Sequence, residues 1–240
     1  MKILSLDCAT QSATCAILDD NNILGETTFN LKKQHSQILM PMIDDLLKNT
    51  QMSISDIDAF VASKGPGSFT GLRIGMATIK GLSQGCKKPF VTLSTLDSLA
   101  YNLAYTDGII CPILDALRDN VYTALYSFDN SDALTDPKLN KISDYVNISI
   151  SELIIMLKDK NCSITFVGDG VPKFKEKLLD NLTNIRFAPK HLNLAKASSL
   201  GELGLKLLTS GIQDDIYGAI PIYLRKPQAE REYEEKMRQK

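Results

Sequence analysis

Seven residues, Gly65-Pro66-Gly67-Ser68-Phe69-Thr70-Gly71, stand directly between an apolar run, residues 58–63, and a stretch with apolar residues at the helical period. A glycine-rich joint between a strand and a helix commits the chain to an α/β architecture. Glycines at such a joint let backbone amides face an anion at the helix N-terminus, where the macrodipole favours negative charge. The block is no Walker A loop, since no Gly-Lys-Ser/Thr follows at the required spacing. It is also no dinucleotide fingerprint. The plainer reading is a tight turn with Thr70 as the helix N-cap.

Around that joint the first half reads as three strands, helix, strand, helix, strand, helix. Residues 2–6, 13–18 and 23–29 are apolar runs, the second and third separated by Asp19-Asp20-Asn21-Asn22, good turn chemistry. Helices are expected over 36–48, with Pro41 kinking or delaying it, and over 70–84. Residues 90–93 form a strand. Ser94, with Asp97 three residues later, caps a helix through Tyr105. A second half restarts near Ile109, with strands at 109–114, 121–128 and 164–167 and helices at 151–157, 172–179 and 197–208. Residues 129–140 read as a surface loop. The expected division is a first lobe, 1–105, a second, 106–225, and a charged tail, 226–240. No internal sequence repeat is evident.

With 240 residues, 44% of them apolar, the chain can bury a substantial core. Twenty-seven basic against 28 acidic residues give no global reason to bind nucleic acid or an anionic membrane. A nucleic-acid partner would need its basic surface from another subunit. No apolar run is long enough to cross a bilayer, and the N-terminus meets Asp7 too early for a signal peptide. The five cysteines, Cys8, Cys15, Cys86, Cys111 and Cys162, are odd in number and show no C-x-x-C spacing. They read as small buried hydrophobes in a reducing, cytoplasmic setting.

Asp7 ends the first strand and is followed by Cys8, Ala9 and Thr10. A carboxylate at a strand end followed by hydroxyls in a turn can hold a metal–phosphate group. Glycine, which lets backbone approach phosphate, is missing from this turn. A working phosphate hairpin and a vestigial one are both open; the residues concerned are Asp7, Thr10, Gly65, Gly67 and Ser68. Ile38, Leu39, Met42 and Leu46 form a wide apolar stripe. Gly71 and Gly75, one turn apart, clear a strip beside Leu72, Met76 and Ile79. Both surfaces can face the sheet or a partner helix. His35 is a surface or capping residue, with His191 far away, so no bound metal is expected. Asp115 and Arg118 can form an ion pair or line a cleft between lobes.

Six segments in order carry a resemblance: ILSLDCAT at 3–10, His35-Ser36 with Leu39-Met40-Pro41, GPGSFTGLRIG at 65–75, DALRDNVY at 115–122, Gly168-Asp169-Gly170, and PIYLR at 221–225. Together they resemble the TsaB, or YeaZ, family across nearly the whole chain. The resemblance implies a two-lobed actin-like, hexokinase-like fold of mixed sheets flanked by helices, the second lobe reduced. It implies a degenerate relative of the catalytic metalloenzyme TsaD, without TsaD's paired histidines. The implied role is non-catalytic: the chain pairs with a TsaD-like subunit, a TsaE-like ATPase joins, and threonylcarbamoyl passes from its adenylate to the tRNA adenosine beside the anticodon. No catalytic residue, cofactor or metal of its own is implied, and tRNA is met only through the complex. The implied partner contact uses the first two long helices, hence Ile38, Leu39, Met42, Leu46, Gly71, Leu72, Gly75, Met76 and Ile79; a homodimer is open when the partner is absent. The family commonly has Asp-Ala-Arg where this chain has Asp115-Ala116-Leu117, with Arg118 one place later. The rival reading is a stand-alone small-molecule kinase or ATPase, which needs nucleotide binding through Asp7 and Thr10.

Overall fold

A computed structural model describes residues 1–31, 34–129, 137–225 and 237. The charged tail therefore lies, apart from Met237, outside the described residues.

The first sheet has the order β3-β2-β1-β4-β5. Its strands are β1 (Ile3–Asp7), β2 (Ala13–Leu18), β3 (Ile23–Phe29), β4 (Ala59–Ser63) and β5 (Phe90–Leu93). The first three are antiparallel, and β4 and β5 run parallel to β1. Helices α1 (His35–Asn49) and α2 (Phe69–Cys86) cover one face, and α3 (Thr95–Tyr101) leads out of the lobe. The second sheet follows the same path, β10-β7-β6-β11-β12. It consists of β6 (Ile109–Asp115), β7 (Asn120–Thr123), β10 (Val146–Ser149), β11 (Ile164–Val167) and β12 (Ile185–Phe187), with β8 (Tyr126–Asp129) and β9 (Lys138–Lys141) added. Helices α4 (Ile150–Lys158), α5 (Val171–Asn181) and α6 (Ala197–Thr209) occupy the positions of α1, α2 and α3. One unit is thus built twice from unlike sequences, giving the two-lobed actin-like, hexokinase-like architecture. The reduction expected of the second lobe falls on its first two helices, 9 and 11 residues against 15 and 18, and on every strand of the common path except β6.

The two units exchange their last helices, so a boundary after Tyr105 does not separate the packing groups. Helix α6 comes from the second half yet lies on the first sheet, with Ala197 and Leu200 packed among Ile3, Ala16, Leu18, Val61 and Val91. Glycine makes this possible: a Cβ on Gly204 would stand 2.5 Å from Val61, and one on Gly201 2.6 Å from Leu18. Glu26 of β3 accepts from the Ser198 amide and hydroxyl at 2.8 Å, setting a negative charge at the α6 N-terminus. Helix α3 in turn packs Leu96, Leu99 and Ala100 against Ile110, Leu114 and Tyr126 of the second sheet.

Local chemistry explains most boundaries. Ser94 and Asp97 form the expected capping box, and Ser149 with Glu152 forms another on α4. The cap of α2 is Ser68, not Thr70, because the Ser68 hydroxyl accepts from the Gly71 amide. Helix α1 runs through Pro41 unbroken, with the ring on its exposed side. Helix α3 ends at Tyr101, four residues short of expectation. The run 121–128 is two strands, broken at Ala124-Leu125, where the Leu125 carbonyl accepts the Ile142 amide at 2.7 Å. The expected loop over 129–140 carries strand β9 in its described part.

Candidate functional site: the cleft between the two sheets

The carboxyl ends of β1 and β6 face a cleft of about 710 Å³. One wall comes from the first lobe, with Ala9, Thr10, His35, Gly67, Ser68 and Thr70; the other holds Asp115, Tyr122 and Asp169. Residues 222–225 line it too.

The residues singled out for phosphate are brought together, and polar atoms of Asp7, Thr10, Gly65 and Ser68 are taken up by neighbours within the chain. Asp7 is buried; its Oδ1 accepts the Ala9 amide at 2.7 Å and its Oδ2 the Thr95 hydroxyl at 2.8 Å. Burial pushes its carboxyl above the usual range, against those two donors. The Thr10 and Ser12 hydroxyls pair at 2.8 Å. Ser63 accepts the Gly65 amide at 3.1 Å, and the Ser68 amide donates to the Ala9 carbonyl at 2.6 Å. Gly67 and Gly71 lie flat on this hairpin: a Cβ on either would stand 2.1 Å from the carbonyl oxygen of Ala9 or Cys8.

On the opposite wall, Asp169 accepts the Asp115 amide at 3.0 Å. Burial, with the charges of Asp115 and Asp7 adding, pushes the Asp169 carboxyl up to about 6. The ion-pair partner of Asp115 is Lys173, at 3.0 Å, and not Arg118. Leu117, Arg118 and Asp119 are three successive residues at positive φ, which carries the Arg118 side chain to the exposed hairpin tip. His35 begins α1 with Nε2 3.3 Å from the Gln11 carbonyl. Among the described residues no three of His, Cys, Asp and Glu stand close enough to hold a metal ion.

The nine residues expected to meet a partner lie mostly inward. Leu39, Met42, Leu46, Leu72, Met76 and Ile79 are buried side chains, Gly71 and Gly75 are buried too, and only Ile38 is half-exposed. The glycine pair clears space for the chain's own β1: a Cβ on Gly75 would meet Leu6 at 3.2 Å. The outward face of α2 instead carries Ala77, Gly81 and Gly85, one turn apart, and a Cβ on either glycine would meet nothing within 4 Å.

Sequence reasoning missed Tyr223 and Arg225 as part of the cleft. The PIYLR segment enters the sequence reading only as one of the six that carry the resemblance, with no site role given to it. Its aromatic and cationic residues, spaced two apart, were the available signal.

A family model described as TsaD, tRNA N6-adenosine threonylcarbamoyltransferase, matches residues 22–233. A Bacillus subtilis (strain 168) protein named tRNA threonylcarbamoyladenosine biosynthesis protein TsaB is 33% identical over 96% of both chains. The chain belongs to the TsaB family. The family member of the same name from Escherichia coli (strain K12) is 34% identical over 55% of this chain and 57% of its own. A solved YeaZ structure from Pseudomonas aeruginosa superposes with a TM-score of 0.76 at 22% identity, covering 93% of this chain and all of that one (100%), and shares the fold. The family model carries the TsaD description and the full-length relative the TsaB name. A match over 96% of both chains decides for TsaB.

Proposed function

We propose that this chain is a non-catalytic subunit of the machinery that forms N6-threonylcarbamoyladenosine in tRNA, binding and supporting a TsaD-type catalytic subunit that a TsaE-type ATPase joins. The name of the full-length relative, a tRNA threonylcarbamoyladenosine biosynthesis protein, supports the pathway. One observation carries the non-catalytic part: the Ser68 amide at the head of α2, a group suited to an anion, is spent on the Ala9 carbonyl. Glycines that could give way to a phosphate are filled by the hairpin itself.

The surface we assign to the partner is the outward side of α1 and α2. It offers half-buried Ile38, Ile74 and Leu82, the exposed Met40 and Pro41, and the open ridge of Ala77, Gly81 and Gly85. Small residues one turn apart let a second helix approach closely, and exposed methionine adapts to a partner. The same surface serves self-pairing when the partner is absent.

The test is reconstituted tRNA modification with this subunit omitted, which should abolish product. It is joined to pull-down of the TsaD-type protein by Met40→Glu and Gly81→Arg, both expected to lose binding while keeping the wild-type melting temperature. Retained binding by both rejects the surface. Calorimetry with ATP and magnesium on the isolated chain should show no heat that Asp7→Ala or Thr10→Ala removes; such heat would favour the kinase reading.

A further inference from the structure

We propose that residues 214–225 form a clasp that sets the width of the cleft in the free subunit. The segment leaves α6 and runs back along α2. The Asp214 amide donates to the Phe90 carbonyl at 2.9 Å, and its carboxylate accepts the Thr92 amide and hydroxyl at 2.6 Å. Ile216 and Ala219 then pack on the core beneath α2. At the head of α2 the Ile222 amide donates to the Lys64 carbonyl at 2.7 Å. The Tyr223 ring lies 4.7 Å from that of Phe69, and its hydroxyl accepts from Arg73 Nε at 3.1 Å. The Arg73 guanidinium in turn covers Phe69 at 3.9 Å.

Two residues further on, the segment changes lobes. Arg225 Nη1 donates to the carbonyl of Ala116, on the β6–β7 hairpin of the second sheet. That hairpin is a firm handle. Asp115 Oδ1 accepts the Leu117 amide, and amide–carbonyl bonds join Ala116 to Asn120, Asn120 to Leu117 and Ile150 to Asp119. A pull at Ala116 therefore moves the lobe and not a loose loop. Among the described residues, the segments that follow α3 and precede α6, residues 102–108 and 188–196, are tied together by Asn102, whose side-chain amide donates to the Leu192 and Leu194 carbonyls at 3.0 and 3.1 Å. The lobes are thus joined at a waist, and at the cleft by a segment held at one end through Tyr223 and at the other through Arg225. Releasing either end frees the walls bearing Ser68 and Asp169 to part.

The test uses cross-wall hydrogen exchange on the full chain. Arg225→Ala removes the second-lobe anchor, and the clasp requires about tenfold faster exchange on the first-lobe wall, residues 8–12 and 67–69, to which Arg225 donates no hydrogen bond. Tyr223→Ala removes the first-lobe anchor, and the clasp requires a like increase at residues 114–123, which Tyr223 does not hold. Both effects with unchanged melting temperature support the clasp. Exchange that rises only within 214–225, or from one variant alone, overturns it. The outcome is independent of whether a TsaD-type partner binds.

Discussion

The amide of Ser68 donates to the carbonyl of Ala9 at 2.6 Å, joining the head of α2 to the β1–β2 hairpin where an anion would otherwise sit between them. This contact exists because Gly67 and Gly71 bring the α2 backbone onto Cys8 and Ala9 without an intervening side chain.

Gly67→Ala should be among the most damaging small substitutions in the chain. Its Cβ would lie 2.1 Å from the Ala9 oxygen, a backbone atom that cannot step aside without breaking the Asp7–Ala9 turn. We expect a loss of about 3 kcal/mol or more, in the range of overpacking that forces backbone shifts. Gly81→Ala, on the open side of the same helix, should leave stability unchanged or raise it by about 1 kcal/mol through helix propensity. Urea denaturation of the two variants checks the contrast. Equal losses would mean that α2 does not press on the hairpin.

Asp169 gives stability a pH dependence of the unusual sign for a carboxylate. Its folded value, about 6, lies above the ordinary 3.8, so between these values the folded chain holds the proton more tightly than the unfolded one. The group's contribution is largest below the ordinary value and is lost as pH rises toward 6, levelling above it. Asp169→Asn keeps an acceptor for the Asp115 amide and removes the charge. It should therefore be more stable than the parent at pH 7 by an amount on the order of 2 kcal/mol, and no more stable at pH 4. Thermal melts across that interval test the sign; a parent that gains stability relative to the variant as pH rises would refute it.

Much of this was legible in the sequence where a periodicity had a single physical solution. The three opening strands, the Ser94–Asp97 box and the strand-to-helix joint at Gly65 all form where expected. Three kinds of fact were not legible. Strand β12 has three residues, too few for a pattern, and β10 is half-buried throughout. The duplication is carried by strand order, which unlike sequences conceal. Hydrophobic stripes on α1 and α2 say that a face is buried but not by what, so residues facing β1 and β2 looked equally fit for a partner. The surface left outside is marked by Gly81 and Gly85, whose lack of neighbours only coordinates reveal.

Thiol accessibility should divide the five cysteines by burial. Cys8, Cys15 and Cys111 are buried, Cys86 and Cys162 only partly, and all are free. Burial pushes the Cys15 and Cys111 thiols up to about 12 and the Cys8 thiol higher still, leaving almost no thiolate at neutral pH. An aromatic disulfide reagent should therefore label Cys86 and Cys162 in the native chain and the other three only in denaturant. Peptide mapping that finds Cys8 modified under native conditions would show the hairpin open to solvent, against the closed contact with Gly67 and Gly71.

Asp97 collects donors from both halves of the chain, and this makes it the most informative polar site for coupling between lobes. It caps α3 through the Ser94 amide at 3.3 Å, and accepts the hydroxyls of Tyr126 at 2.7 Å and Tyr145 at 2.9 Å from the second sheet. Burial, with the Asp97 charge adding, raises the Tyr126 hydroxyl well above its usual range, so it stays a donor at any working pH. Tyr126→Phe keeps the ring in the core and deletes one charge-assisted bond, which should cost about 1.5–3 kcal/mol. Tyr145→Phe should cost less, because its site is nearer solvent and Tyr126 still serves the carboxylate. The double variant should cost more than the sum, since among the described residues the half-shielded carboxylate then keeps only its capping donor. A double-mutant cycle in urea measures the excess. Simple additivity would mean that the two tyrosines do not share Asp97, and that α3 is joined to the second sheet by its apolar side alone.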